Sequence, residues 1–140
     1  MKFRKVDVRE FEARRYFEDA CRLSHAEVVP LRITKRSSRA ATSASTGTTY
    51  DWAGVAMRAI IRLGTDMRDV RHVAVHEAAH VLRPRDKHSS AFYARFYALA
   101  KQLDLDMDWW YTREKSYQPR GVQQMMQEQR LNLLDFVTKS

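Results

Sequence analysis

A single cysteine, Cys21, stands in a chain of 140 residues, so no internal disulfide can brace the fold. Its expected role is that of a small apolar residue on the first helix. No apolar run approaches the roughly 18 residues of a membrane span, and Met1 to Asp7 lack the apolar core of a signal peptide. No membrane association is therefore expected, and the expected location is cytoplasmic. The length of 140 residues suits one domain with a real core and leaves no room for a separate substrate domain.

Charge balance is also missing. The formal net charge is +8, and the excess is unevenly placed: residues 1 to 39 hold eleven Lys or Arg against six acids, residues 58 to 95 eight against four, and residues 101 to 140 six against six. A basic surface on the first two stretches would attract polyanions such as DNA, or acidic protein segments, and hold them less tightly as salt rises. The same charges also suit a plain solubilising surface.

Along the chain the pattern runs helix, strands, helices. Asp7 with Glu10 resembles a capping box, and Ala13, Tyr16, Phe17, Ala20 and Leu23 recur at helical spacing, which predicts a helix over residues 7–24. Strands are expected within 27–63. Val29, Leu31 and Ile33 alternate, with Pro30 pointing to an edge strand or a bulge. The Ser/Thr/Ala stretch from Ser37 to Thr49 suits a loop or a thin middle strand. From Val55 to Leu63, Val55, Met57, Ala59, Ile61 and Leu63 share one face while Arg58 and Arg62 point the other way. Further helices are expected over 66–82, 89–103 and 121–137.

The helix over 66–82 carries His76-Glu77-Ala78-Ala79-His80, the HExxH pattern. At 3.6 residues per turn, His76 and His80 stand one above the other and can reach a single zinc ion at roughly 2.0–2.1 Å. Glu77 lies one step round the helix, where its carboxylate can take a proton from the attacking water and pass it to a leaving amine. Asp66 is placed to cap this helix and Pro84 to end it. A zinc metallopeptidase with one Zn2+ ion is the leading expectation.

A catalytic zinc needs a third protein ligand. Two candidates follow His80: Asp86 at six residues, and His88 at eight, just before Ser89 and Ser90, either of which can cap the next helix. The extended six-residue spacing normally has a glycine at the position of Arg83 for a sharp turn, which counts against Asp86.

HEAAH, a short basic loop and then His88-Ser89-Ser90-Ala91-Phe92-Tyr93 resemble the SprT-like zinc metallopeptidases and their small relatives without a cysteine-rich zinc ribbon. The match is most specific over residues 70–97. The resemblance implies a compact α+β zincin-like domain, with a small antiparallel or mixed sheet, an active-site helix and flanking helices. It implies His76, His80 and His88 as zinc ligands and Glu77 as general base, and a protein or peptide substrate, including proteins associated with DNA. The spacing from His80 to His88 is longer than in the closest bacterial relatives. In zinc peptidases of this build the strand before the active-site helix is an edge along which substrate lies extended, so Arg58 and Arg62 are candidate substrate contacts.

Phe92, Phe96, Leu99 and Leu103 form an apolar stripe expected to pack behind the metal site, while Trp109, Trp110 and Tyr111 are expected to cover the core or line the cleft. The alternating aspartates from Asp104 to Asp108 lack the glycine and distal glutamate of a calcium loop. His72, four residues before His76, shares roughly its helix face and is a lesser candidate for a supporting group or substitute ligand, because helix rotation turns it away from an ion held by His76 and His80; His25 is expected to end the first helix. Tyr93, Tyr97, Tyr111, Tyr117, Arg95 and Arg113 are all candidates to stabilise an oxyanion. The rival expectation from another class is a non-proteolytic zinc-containing module that binds a peptide or nucleic acid. Retention of Glu77 favours catalysis, since a structural site closed by four protein ligands has no use for a base.

Overall fold

The computed structural model describes residues 7–26, 28–35, 46–50, 56–63 and 69–137. Helix α1, Val8–Leu23, begins where Asp7 accepts a hydrogen bond from the Arg9 N–H at 3.0 Å, and it buries Ala13, Phe17, Ala20 and Cys21 along one stripe. Burial pushes the Cys21 thiol up to about 11, consistent with an inert packing role. The helix ends as His25 takes a left-handed conformation, φ 56°, with its N–H donating to Arg22. Three strands follow: β1 (Leu31–Lys35), β2 (Thr46–Tyr50) and β3 (Ala56–Leu63).

Strand order is β1-β3-β2, with β1 parallel and β2 antiparallel to β3, so the sheet is mixed. Pro30 fits the edge position of β1, and its carbonyl accepts the Ala59 N–H at 2.9 Å. The expectation that β3 forms an edge is overturned. It is the central strand, paired on both sides, so Arg58 and Arg62 cannot flank a peptide added to it. They are exposed on one sheet face with Arg32, while Leu31, Ala59, Ile61 and Leu63 are buried on the other.

Helix α2, Val70–Leu82, packs on that inner face and is surrounded by α1, β3 and α3 (Ser90–Gln102). Val70, Val73, Ala74, Val75, Ala78, Ala79 and Val81 are all buried, so apolar residues cover most of its circumference, as suits a central helix. It starts at Val70, later than the expected 66; Asp66 lies outside the described residues, and Asp69 is the N-cap residue. Outside the core, Arg71 reaches Glu12 of α1 at 2.5 Å and lies over the Tyr16 ring.

The aspartate run has a local explanation. Asp104 closes α3 in a left-handed conformation, φ 59°, and Asp106 accepts the Trp109 N–H at 3.1 Å, capping a further helix, α4 (Met107–Tyr117). The C-terminal segment is not one helix over 121–137. Helix α5, Pro119–Gln129, stops at left-handed Arg130, and a short 3-10 turn, Leu133–Phe136, follows behind an Asn132/Asp135 capping box. That break lets Phe136 stack on Trp110 at 5.7 Å between centroids, inside a cage completed by Tyr93, Phe96 and Tyr97. Among the described residues no helix is long and apolar enough to cross a membrane.

Phe17 and Phe11 share α1 but not its environment, at 0% and 74% exposed. Phe17→Ala should cost about 3–5 kcal/mol in denaturant unfolding, whereas Phe11→Ala should stay within about 0.5 kcal/mol. Similar losses for the two would contradict this placement of α1.

Candidate metal centre

One turn of α2 separates His76 from His80, and the loop after the helix brings His88 to meet them. Their Nε2 atoms lie 3.2, 3.1 and 3.3 Å apart, a nearly equilateral triangle. Tetrahedral ligands held about 2.0–2.1 Å from one ion are separated by roughly 3.3–3.4 Å, so the triangle has the size a zinc-like cation requires. Mutual hydrogen bonding is a poor alternative. A ring nitrogen of a neutral imidazole either donates its proton or offers one lone pair, and a closed triangle would need each to do both. The three histidines are the residues that can hold a metal ion among those described.

The loop that delivers His88 is braced by Asp86. Both Arg95 Nη atoms donate to Asp86 Oδ2 at 3.1 Å, and Arg95 Nε donates to the Ala79 carbonyl at 3.1 Å. Asp86 therefore faces its arginine, and His88 takes the place in the cluster for which both competed. A 3-10 turn, Pro84–Asp86, then a left-handed Lys87 (φ 51°) and a Ser89 side chain accepting from the Phe92 N–H complete the turn into α3. Phe92 stacks on the His80 ring at 4.2 Å and Phe96 meets His76 edge-on at 5.1 Å, so the stripe expected behind the site forms its wall.

Glu114 of α4 is the residue that sequence reasoning missed. Its carboxylate is 1% exposed, lies 3.3 Å from His76 Nδ1 and 2.7 Å from His72 Nε2, and accepts the Tyr93 hydroxyl at 3.1 Å. An acceptor at Nδ1 keeps the proton there and leaves the His76 Nε2 lone pair facing the cluster. His72 is thus turned to Glu114, as its expected direction away from the ion requires. A signal existed: Met107, Trp110 and Glu114, at helical spacing, are the buried residues of α4, but Thr112-Arg113-Glu114-Lys115 alone reads as an ordinary surface.

Electrostatics divides the three histidines. Burial alone would lower the His76 pKa, yet the hydrogen bond to Glu114 and the charges of Glu77 and Glu114 raise it above the ordinary 6.5. Burial first, then repulsion from His76, His88 and Arg95, holds His80 down to about 3. His88 is also lowered, by burial and by His76. For Glu114, burial pushes upward, but the hydrogen bonds from His72 and His76 win and its pKa is lowered.

Glu77 is 7% exposed, next in chain to His76 and close enough for its charge to act on that ring. Most candidates for oxyanion stabilisation are engaged elsewhere: Tyr93 with Glu114, Tyr97 and Tyr111 against Phe136, Arg95 with Asp86, and Arg113 with Asp69. Tyr117 remains, 58% exposed, its ring 5.2 Å from His88 and 6.5 Å from His76. Comparisons with protein-family models, with curated proteins and with solved structures each found no match.

His88→Ala should severely weaken metal binding measured by chelator competition, leaving only the residual affinity of the His76–His80 pair, while Asp86→Ala should retain it. Equal loss in both would return Asp86 to the ligand set. Metal requires neutral imidazoles, and His76 binds its proton more tightly than the other two, so acid should displace the ion first through His76. Zn2+ affinity should be level above the raised His76 pKa and fall about tenfold per pH unit below it, and an affinity unchanged between about pH 8 and about pH 5.5 would contradict the assignment.

Proposed function

We propose that this protein is a zinc-dependent metallopeptidase with a zincin-like domain, holding one Zn2+ through His76, His80 and His88. The observation that carries the proposal is a buried glutamate, Glu77, beside a cluster of three histidines with no fourth protein ligand among the described residues. A structural zinc is normally closed by four protein ligands, whereas a catalytic one keeps a position open. The resemblance of HEAAH and HSSAFY to SprT-like enzymes supports the same reading.

Bound there, zinc supplies Lewis acidity, polarising a scissile carbonyl and making water nucleophilic near neutral pH. Glu77 accepts the proton of the attacking water and returns it to the departing amine, leaving a carboxylic acid and an amine with every proton accounted for. Glu114 keeps His76 in the tautomer that presents Nε2. Tyr117, at the exposed side of the cluster, is the phenol best placed to donate to the oxyanion.

With β3 central, the outer edge of β2 becomes the better candidate for a proposed substrate. At the outer edge of β1, the Leu31 carbonyl is taken by Arg14 Nη1 at 2.9 Å, while the outer edge of β2 pairs with no strand among the described residues. An extended peptide would add to β2 through backbone hydrogen bonds. Arg83, Arg85 and Lys87 are exposed on the loop between His80 and His88, a basic rim suited to acidic segments or to proteins bound to DNA. A cytoplasmic location belongs to the same proposal.

Glu77→Gln should keep fold and zinc while lowering peptide hydrolysis by at least about 10²-fold, because the amide fills the same space and cannot accept the proton. Equal cleavage by variant and parent would overturn the mechanism; no cleavage by the zinc-loaded parent, on disordered proteins with and without DNA, would favour the binding module. Neutralising Arg83, Arg85 and Lys87 together should weaken DNA binding and flatten its salt dependence between about 50 and 200 mM, with zinc content unchanged. Indistinguishable binding curves would remove this loop from any contact with DNA.

A further inference from the structure

Gly121 sits in the first turn of α5, where alanine would be the better helix former. Its surroundings explain the glycine. A Cβ at this position would lie 2.5 Å from the backbone carbonyl oxygen of His88 and 3.0 Å from two ring carbons of Tyr93. Real Cβ atoms do not approach backbone oxygen so closely, so one of the two elements would have to move.

Neither has an easy retreat. The Tyr93 ring is fully buried, and its hydroxyl is held by Glu114, the carboxylate that orients His76. The His88 carbonyl belongs to a segment fixed on one side by left-handed Lys87 and on the other by the Ser89 cap of α3. Ser90 also donates to Glu128 of α5 at 3.2 Å, tying the same helix to the residues just after His88. The His88 ring packs against Tyr93 at 6.3 Å and Tyr117 at 5.2 Å, so displaced backbone would carry the imidazole with it.

We propose that Gly121 is a positioning residue for His88, and that close contact between α5 and the His88 carbonyl sets how far the His88 imidazole reaches toward His76 and His80. This rests on the reading that the three histidines hold a metal ion. Gly121 touches neither ion nor substrate; it acts through the backbone of one ligand. Side chains at 121 lengthen the distance from His88 Nε2 to the other two nitrogens and leave a looser, less regular coordination.

The test uses the full-length chain, with Zn2+ affinity from competition against a chromophoric chelator and the visible spectrum of the Co2+ form as a report on geometry. Gly121→Ala should lower Zn2+ affinity about 10- to 100-fold, the range expected when support of a metal ligand is lost, and shift the Co2+ bands. In a His88→Ala background the same substitution should change residual metal affinity by less than about twofold, since the ligand it acts on is gone. Lys87→Gly relaxes the left-handed backbone beside His88 and lets the carbonyl retreat. Combined with Gly121→Ala, it should restore at least about tenfold of the affinity, and it should restore folding where Gly121→Ala alone fails to fold in excess chelator. Unchanged affinity and an unchanged Co2+ spectrum in Gly121→Ala, or no recovery on adding Lys87→Gly, would overturn the proposal with the metal site intact. A parent protein that binds neither Zn2+ nor Co2+ would instead overturn the histidine site, and this proposal with it.

Discussion

The carboxylate of Glu114 ties α4 to α2 through His72 and His76, one helical turn apart, and to α3 through Tyr93. Burying a carboxylate costs several kcal/mol unless its lone pairs are met, and removal of a partner leaves an uncompensated group in the interior. Here three donors converge on it, so the placement of α4 against α2 and α3 is specified by polar geometry as well as by apolar area. The Trp110 cage then packs one turn away on the same face of α4. The orientation of His76 and a core arrangement thus share one anchor.

Local features of the centre were legible in the sequence. Two histidines and a glutamate at HExxH spacing share a helix whatever surrounds it, and Phe92, Phe96 and Leu99 form a stripe that any amphipathic helix would show. His88 was legible through its position just before the serine that caps α3. Glu114 was not, because its meaning depends on partners 21, 38 and 42 residues earlier in the chain, and nothing in a helical pattern records which buried group an acid will meet. The C-terminal break was hidden for a related reason: a left-handed Arg130 is stabilised by its setting, including the Leu131 N–H bonded to Met126, and not by its own residue type.

The sheet makes the same distinction between face and neighbour. Alternation along β3 correctly divided Ala59, Ile61 and Leu63 from Arg58 and Arg62, because side-chain direction in a strand follows from a period of two. It carried no information about which strands lie alongside. Thr46–Tyr50 is short and rich in threonine, yet it takes the antiparallel place next to β3, so β3 is not an edge of the sheet. The exposed basic residues, by contrast, are divided: Arg32, Arg58 and Arg62 lie on the sheet face away from α2, and Arg83, Arg85 and Lys87 lie on the loop between His80 and His88, so the charge has two separate structural sources.

The positions of Glu114 and Gly121 also impose an order in time. During synthesis from the N-terminus, the histidines at 76, 80 and 88 emerge before the residue that sets the tautomer of His76 and before the helix that seats His88. A nascent chain displaying those imidazoles lacks the packing that later holds their Nε2 atoms 3.1–3.3 Å apart. The close triangle of imidazoles is complete only once α4 and α5 have docked, so any metal selectivity of the proposed site would be a property of the finished fold and not of the emerging chain.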